Sequence, residues 1–202
     1  MKKYAVALMV ALTVCSCGRS PSVRPLQAGD VVLAFGDSLT HGTGAREEEA
    51  YPVVLAELIG VPVINAGVPG EMTAEGLKRL PGALDEHQPS LVLLCLGGND
   101  MLNRRDDADI QRNLENMIRL CQSRGIDVLL IGVPKPKLLG MKTAEFYYEA
   151  ARRSGVPLED HVLPKILKNN RYKSDRIHPN ATGYRMMAEA VADALRKAGA
   201  VQ

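Results

Sequence analysis

The chain has 202 residues, 46% hydrophobic and 24% charged, with a formal net charge of +2, which fits one domain with a single sizeable core. Two of the 25 basic residues, Lys2 and Lys3, lie in a segment read below as removed on export, which leaves the basic and acidic totals equal at 23. A balanced chain with no interleaving of aromatic and basic residues gives no support to polyanion binding, so no nucleic-acid partner is expected.

The N-terminus reads as an export signal. Lys2 and Lys3 supply the positive start, and Tyr4 to Val14 is an apolar stretch of about 11 residues, the length of a signal core and too short to span a bilayer. Val14-Cys15-Ser16-Cys17 resembles a bacterial lipobox, with an aliphatic residue three before the cysteine and a small residue just before it. On that reading residues 1–16 are removed, Cys17 carries the lipid, and residues 17–29, rich in Ser and Pro, form a flexible tether. The domain then occupies 30–202. Cleavage by an ordinary signal peptidase, giving a soluble periplasmic protein, is the alternative.

From Val31 onwards, strand-length apolar runs alternate with helical patterns. The runs Val31 to Phe35, Val61 to Asn65, Leu91 to Leu96 and Val128 to Val133 are mostly apolar without alternation, as strands covered on both faces must be. Between them, Glu47 to Ile59, Thr73 to Glu86, Asp107 to Ser123 and Thr143 to Ser154 have helical spacing, and Ala181 to Ala198 closes the chain. Leu77, Leu80 and Leu84 form one apolar face, and Leu114, Met117, Ile118 and Cys121 another. The expectation is an α/β fold, a three-layer α/β/α arrangement on a flavodoxin-like parallel sheet of four to five strands. A fifth strand begins at Val156-Pro157-Leu158, but Glu159-Asp160-His161 follows where a buried strand should stay apolar, so it is expected short or missing. Cys95 in a strand and Cys121 in a helix can form a disulfide or stay as two packed thiols, and packed thiols are the expectation.

In open parallel sheets, sites collect at the carboxyl ends of strands, and the unusual loops of this chain lie there. Gly36-Asp37-Ser38-Leu39 follows the first strand, Asn65 to Glu71 the second, and Gly97-Gly98-Asn99-Asp100 the third. Near the end, Asp175-Arg176-Ile177-His178-Pro179 sets a carboxylate three residues from an imidazole. A serine on a tight turn with a distant His and Asp supplies nucleophile, base and orienting acid. Gly70 lets backbone approach a ligand, and the Asn99 amide is a donor for a developing oxyanion.

These four blocks, in this order and spacing, resemble those of the SGNH (GDSL) hydrolases. More narrowly, Gly70-Glu71-Met72-Thr73 through Gly76-Leu77-Lys78-Arg79-Leu80-Pro81 and His87-Gln88-Pro89 to Gly98-Asn99-Asp100 is similar to the bacterial thioesterase I/protease I/lysophospholipase and arylesterase group. The resemblance covers roughly Asp30 to Leu195. It implies Ser38 as nucleophile, His178 as general base and Asp175 as its orienting carboxylate. The implied oxyanion hole is made of the Ser38 and Gly70 N–H groups and the Asn99 side chain. No metal or organic cofactor is implied. Arg176 stands where many members have Gly, and the stretch from Phe146 to Ile177 is shorter than usual.

Other polar residues have plainer readings. Asp37 is read as a carboxylate accepting loop N–H groups and Asp100 as a support for the Asn99 loop. His41 and His161 are read as facing solvent and His87 as a helix C-terminal residue. Glu47-Glu48-Glu49 is read as an acidic first helical turn, and Lys135, Lys137 and Lys142 as a solvated basic loop. The expected activity is hydrolysis of acyl esters, as a lysophospholipase or arylesterase with thioesterase capacity. The partners are the acyl ester and, through Cys17, a membrane, with the outer membrane's periplasmic side as the location and a monomer as the working unit. The alternatives are a carbohydrate or peptidoglycan O-acetyl esterase, and a surface lipoprotein that binds without catalysis.

Overall fold

The computed structural model describes residues 21–137 and 140–202. The signal segment 1–16 and the lipidation candidate Cys17 lie outside them. In chain order the elements are β1 (Val32–Gly36), α1 (Ser38–His41), α2 (Tyr51–Ile59), β2 (Val63–Gly67), α3 (Thr73–His87), β3 (Leu91–Cys95), α4 (Gly98–Leu102) and α5 (Asp107–Ser123). They continue with β4 (Asp127–Ile131), β5 (Pro134–Lys137), β6 (Gly140–Thr143), α6 (Glu145–Ser154), β7 (Leu158–Glu159), α7 (Val162–Lys168) and α8 (Ala181–Lys197).

Five strands make one parallel sheet in the order β2-β1-β3-β4-β7. All five residues of β1 and of β3 are buried, because helices cover both sheet faces. α2 packs against α8, and α5 packs against both α3 and α6. The inward rows have helical spacing: Ile110, Leu114, Met117, Ile118 and Cys121 on α5, and Tyr184, Met187, Ala188, Val191, Ala192 and Leu195 on α8. Cys95 and Cys121 are free and buried, as packed thiols. No helix of the described residues is long and apolar enough to cross a membrane.

Two elements depart from the sequence reading, and the fifth strand is as short as expected. The helix expected over Glu47 to Ile59 is broken into a 3₁₀ turn at Glu47–Glu49 and α2, with Ala50 extended between them. A continuous helix would need an N–H from Pro52 to reach the carbonyl of Glu48, and proline has none. Thr143 belongs to an antiparallel β5–β6 hairpin rather than to α6, paired with Pro134, and its hydroxyl donates to the Asp160 carbonyl at 2.7 Å. The fifth strand is two residues long: one oxygen of the buried Glu159 carboxylate accepts the N–H groups of His161 and Val162 and so turns the chain into α7.

The tether reading for 17–29 also needs correcting where the structure describes it. Val23 is 4% exposed, the Val23 and Leu26 N–H groups donate to the carbonyls of Ala198 and Ala200, and the Arg24 N–H donates to Asp127. An apolar side chain within the Ser- and Pro-rich stretch closes the end of the core beside the C-terminus. A chain starting at residue 30 should therefore melt roughly 5 °C below one starting at residue 21. Burial of one Val contributes about 2 kcal/mol, and 1 kcal/mol moves Tm by roughly 2–4 °C at this size. Equal melting temperatures in calorimetry would restore the tether reading.

Candidate active site

β1 is the point where the sheet order reverses, with β2 on one side and β3 on the other, so a crevice opens beyond its carboxyl end. Ser38 sits there as the first residue of α1, directly after the strand. Asp37 caps that helix, its Oδ1 accepting the Leu39 N–H at 2.9 Å. The structure brings the distant segment to the same place: His178 Nε2 lies 3.0 Å from Ser38 Oγ, and His178 Nδ1 lies 2.7 Å from Asp175 Oδ2. An ionised carboxylate only accepts, so Nδ1 carries the hydrogen and the Nε2 lone pair faces the serine hydroxyl.

The Asp175–His178 unit is built locally. Asp175 Oδ1 accepts the N–H groups of Ile177 and His178, both at 2.8 Å, leaving Oδ2 for the ring. The His178 ring and those N–H groups hold the Asp175 carboxyl down to about 2, although its side chain is half exposed. The loop is anchored by Asn180, whose amide donates to the carbonyls of Arg171 and Lys173 and whose Oδ1 caps α8 at the Gly183 N–H. From α8, the Tyr184 hydroxyl donates to the Thr43 carbonyl at 2.8 Å and lies 3.4 Å from the Ser38 carbonyl.

On the other side of Ser38, the loops after β2 and β3 meet. Val68-Pro69-Gly70-Glu71 is a tight turn closed by the Glu71 N–H on the Val68 carbonyl at 3.1 Å, with Gly70 at φ +83°. Proline second and positive φ third define a type II turn, whose central peptide is flipped relative to type I. That peptide carries the Gly70 N–H, so the turn type decides whether a donor or a carbonyl faces the crevice. The Asn99 amide is engaged in the resting structure, donating to the Glu71 carbonyl at 3.0 Å and to Asp37 Oδ2 at 3.2 Å. Serving an oxyanion therefore means sharing or releasing the longer of these bonds.

The remaining polar residues fall into supporting places. Asp37 is 2% exposed, and burial pushes its carboxyl up to about 7. Asp100 accepts from the N–H and hydroxyl of Thr73, at 2.9 and 2.7 Å, tying the Asn99 loop to the start of α3. His41 is exposed, His161 is exposed beside Asp160, and His87 ends α3. Lys135 pairs with Asp107 at 2.8 Å instead of standing free in solvent. Arg176 is exposed. One contact escaped the sequence reading: Arg79 on α3 forks onto Glu71, with both N–O distances 2.6 Å. A signal for it existed. Gly76 and Ala83, one turn before and after Arg79, are small and buried, which leaves room for a long side chain on the inner face.

The chain is similar to known proteins over most of its length. The model of the GDSL-like lipase/acylhydrolase family matches residues 34–186. The chain is 32% identical to the arylesterase of Vibrio mimicus, over 85% of this chain and 90% of that protein. It is 30% identical to thioesterase 1/protease 1/lysophospholipase L1 of Escherichia coli strain K12, over 84% of this chain and 85% of that protein. The crystal structure of TesA superposes with a TM-score of 0.74 at 28% identity, covering 84% of this chain and 99% of that one.

The turn geometry makes a specific expectation for Gly70→Ala. A Cβ there meets nothing within 4 Å, so the substitution is free of clashes, but positive φ disfavours alanine and the turn relaxes towards type I. Ester hydrolysis should lose about 10²-fold in kcat with KM little moved, and Tm should fall by roughly 2–4 °C for the strain of alanine at positive φ. Steady-state kinetics and a melting curve decide this, and an unchanged kcat would remove the Gly70 N–H from the oxyanion hole.

Proposed function

Since the chain belongs to the GDSL-like lipase/acylhydrolase family, we propose that it hydrolyses carboxylic esters of acyl chains through an acyl-enzyme on Ser38. The observation that carries this reading is the continuous line Ser38 Oγ, His178 Nε2, His178 Nδ1, Asp175 Oδ2, with spacings of 3.0 and 2.7 Å across the ring. Ser38 Oγ attacks the ester carbonyl while His178 Nε2 takes its proton. Asp175 keeps the ring in the correct tautomer and stabilises the imidazolium that forms. Negative charge then grows on the former carbonyl oxygen, where the N–H groups of Ser38 and Gly70 and a shared proton of Asn99 receive it. The imidazolium returns its proton to the leaving alcohol. Water, activated in the same way, frees the acid and restores Ser38.

The apolar surroundings favour long acyl chains over acetate. Five large hydrophobic side chains are exposed among the described residues. Three of these, Val68 (41%), Leu102 (59%) and Ile177 (41%), stand on the segments that carry Gly70, Asn99 and His178. An alkyl chain laid across them gains about 0.8 kcal/mol per buried CH₂, whereas an acetyl group gains almost nothing. Lysophospholipid and aryl or thioester substrates belong to this class, and a carbohydrate O-acetyl esterase is the competing reading. The test is a p-nitrophenyl ester series from acetate to dodecanoate. Turnover should rise with chain length, vanish in Ser38→Ala and fall on acidification through about pH 7, where the Asp37 carboxyl that holds the Asn99 amide takes a proton, while Asp175 stays ionised down to about pH 2. A preference for acetate moves the assignment to a deacetylase, and activity surviving in Ser38→Ala removes the mechanism.

The location we propose rests on the sequence of the N-terminus: a monomer held by lipid on Cys17 at the periplasmic side of the outer membrane, beside its lipid substrates. Radiolabelled palmitate should enter the wild-type chain and be lost in Cys17→Ser, which should move to the soluble periplasmic fraction. Equal labelling of the two would return the soluble periplasmic alternative.

A further inference from the structure

The turn that presents the Gly70 N–H is held from outside the crevice. Glu71, the next residue, is tied at three points. Its N–H closes the turn on Val68, its carbonyl receives the Asn99 amide, and its carboxylate receives the Arg79 fork, Nε to Oε1 and Nη2 to Oε2 at 2.6 Å. Arg79 is in turn referenced to the sheet. Its Nη2 also donates to the Ala66 carbonyl of β2 at 3.0 Å, and its guanidinium lies 3.9 Å from the ring centroid of Phe35 in β1. The Glu71 side chain is 5% exposed and that of Arg79 30%, so the pair is largely shielded from water.

We propose that Arg79 is a positioning residue of the hydrolytic site: through Glu71 it fixes the far end of the 68–71 turn and so aims the Gly70 N–H and the Asn99 amide at the developing oxyanion. The proposal rests on the reading of Ser38 as nucleophile and of these two groups as donors. The physical need for it lies in the turn. Proline at the second position suits both type I and type II, and glycine at the third permits both, so the tetrapeptide alone leaves its central peptide free to flip. Anchoring Glu71 by carboxylate, carbonyl and N–H selects one orientation. A guanidinium suits this work because its planar fork sets two bonds in a fixed plane, spares a third N–H for Ala66 and stacks on a ring. A lysine ammonium is a point charge without that plane.

The test compares full-length wild type with Arg79→Met, Arg79→Lys and the double variant Glu71→Gln/Arg79→Met. Three quantities are measured: kcat and KM on a soluble p-nitrophenyl ester, inhibition by an alkyl trifluoromethyl ketone, and Tm. The ketone adds a serine to form a tetrahedral oxyanion, so it reports the hole directly. Arg79→Met and Arg79→Lys should lose about 10- to 100-fold in kcat with KM within about twofold, and the ketone should weaken by the same factor. The double variant leaves no unpaired buried charge, so its Tm should recover relative to Arg79→Met while kcat and ketone affinity stay low. Recovery of kcat together with Tm would make the pair merely structural and overturn the proposal, as would an unchanged kcat in Arg79→Met or a loss confined to KM. Ser38→Ala separates this from the underlying reading. An inactive Ser38→Ala beside an unaffected Arg79→Met sinks the positioning role alone, whereas an active Ser38→Ala sinks both.

Discussion

A carboxylate that water cannot reach sits where the two central loops of this protein meet. Asp37 directly follows β1, caps the helix that begins with Ser38, and accepts from the Asn99 amide in the segment after β3. Its burial has a cost that its partners only partly offset, which is why its carboxyl is pushed up to about 7 in spite of the Leu39 N–H. Both of its oxygens accept hydrogen bonds, an arrangement that suits the charged form. The grip on Asn99 is therefore firmest where the carboxylate is ionised. Ser38 and the Asn99 amide are thus registered to each other through one side chain.

The two halves of the site are held by different physics. Asp175 and His178 are oriented within four residues, by backbone N–H groups folding onto a carboxylate, and need from the rest of the protein only that the loop be moored through Asn180. The side built around Asn99 and Glu71 has no such local logic. Asn99 reaches Asp37 and Glu71, Asp100 reaches Thr73, and Glu71 reaches Arg79, so each contact joins a different pair of elements. Buried polar groups of this kind must all be satisfied or each becomes costly. The density of bonds around residues 71–73 is the consequence of placing three polar loops at the end of an apolar sheet.

That contrast explains what could be read from the sequence. Buried parallel strands and amphipathic helices repeat a local pattern, so Leu91–Cys95 and Asp107–Ser123 stand almost where the apolar runs and spacing put them. Ser38, Asp175 and His178 carry their chemistry in the residue type itself. The pairing of Arg79 with Glu71 is hard to read from sequence because it joins a loop to a helix, and its one local signal is the pair of small buried residues, Gly76 and Ala83, flanking Arg79 on α3. The β5–β6 hairpin was missed for a different reason. Two prolines and three lysines between residues 134 and 142 read as a solvated loop, and only the pairing of Pro134 with Thr143 makes them strands. Val23 was lost in a Ser- and Pro-rich stretch whose composition suggests a linker, although one buried aliphatic suffices to dock it.

The truncated fifth strand has a physical account in the same terms. A parallel edge strand that continued past Glu159 would bring its next residues level with Gly132 and Val133, where the chain already turns into the hairpin. Glu159 instead gives its carbonyl to the Gly132 N–H and one carboxylate oxygen to the first N–H groups of α7. Its other oxygen has no partner among the described residues, and burial accordingly raises its pKa. Strand β7 ends early because a side chain takes over the work of the backbone, and the segment thereby released, α7 and the loop beyond it, is the one that returns Asp175 and His178 to the mouth of β1.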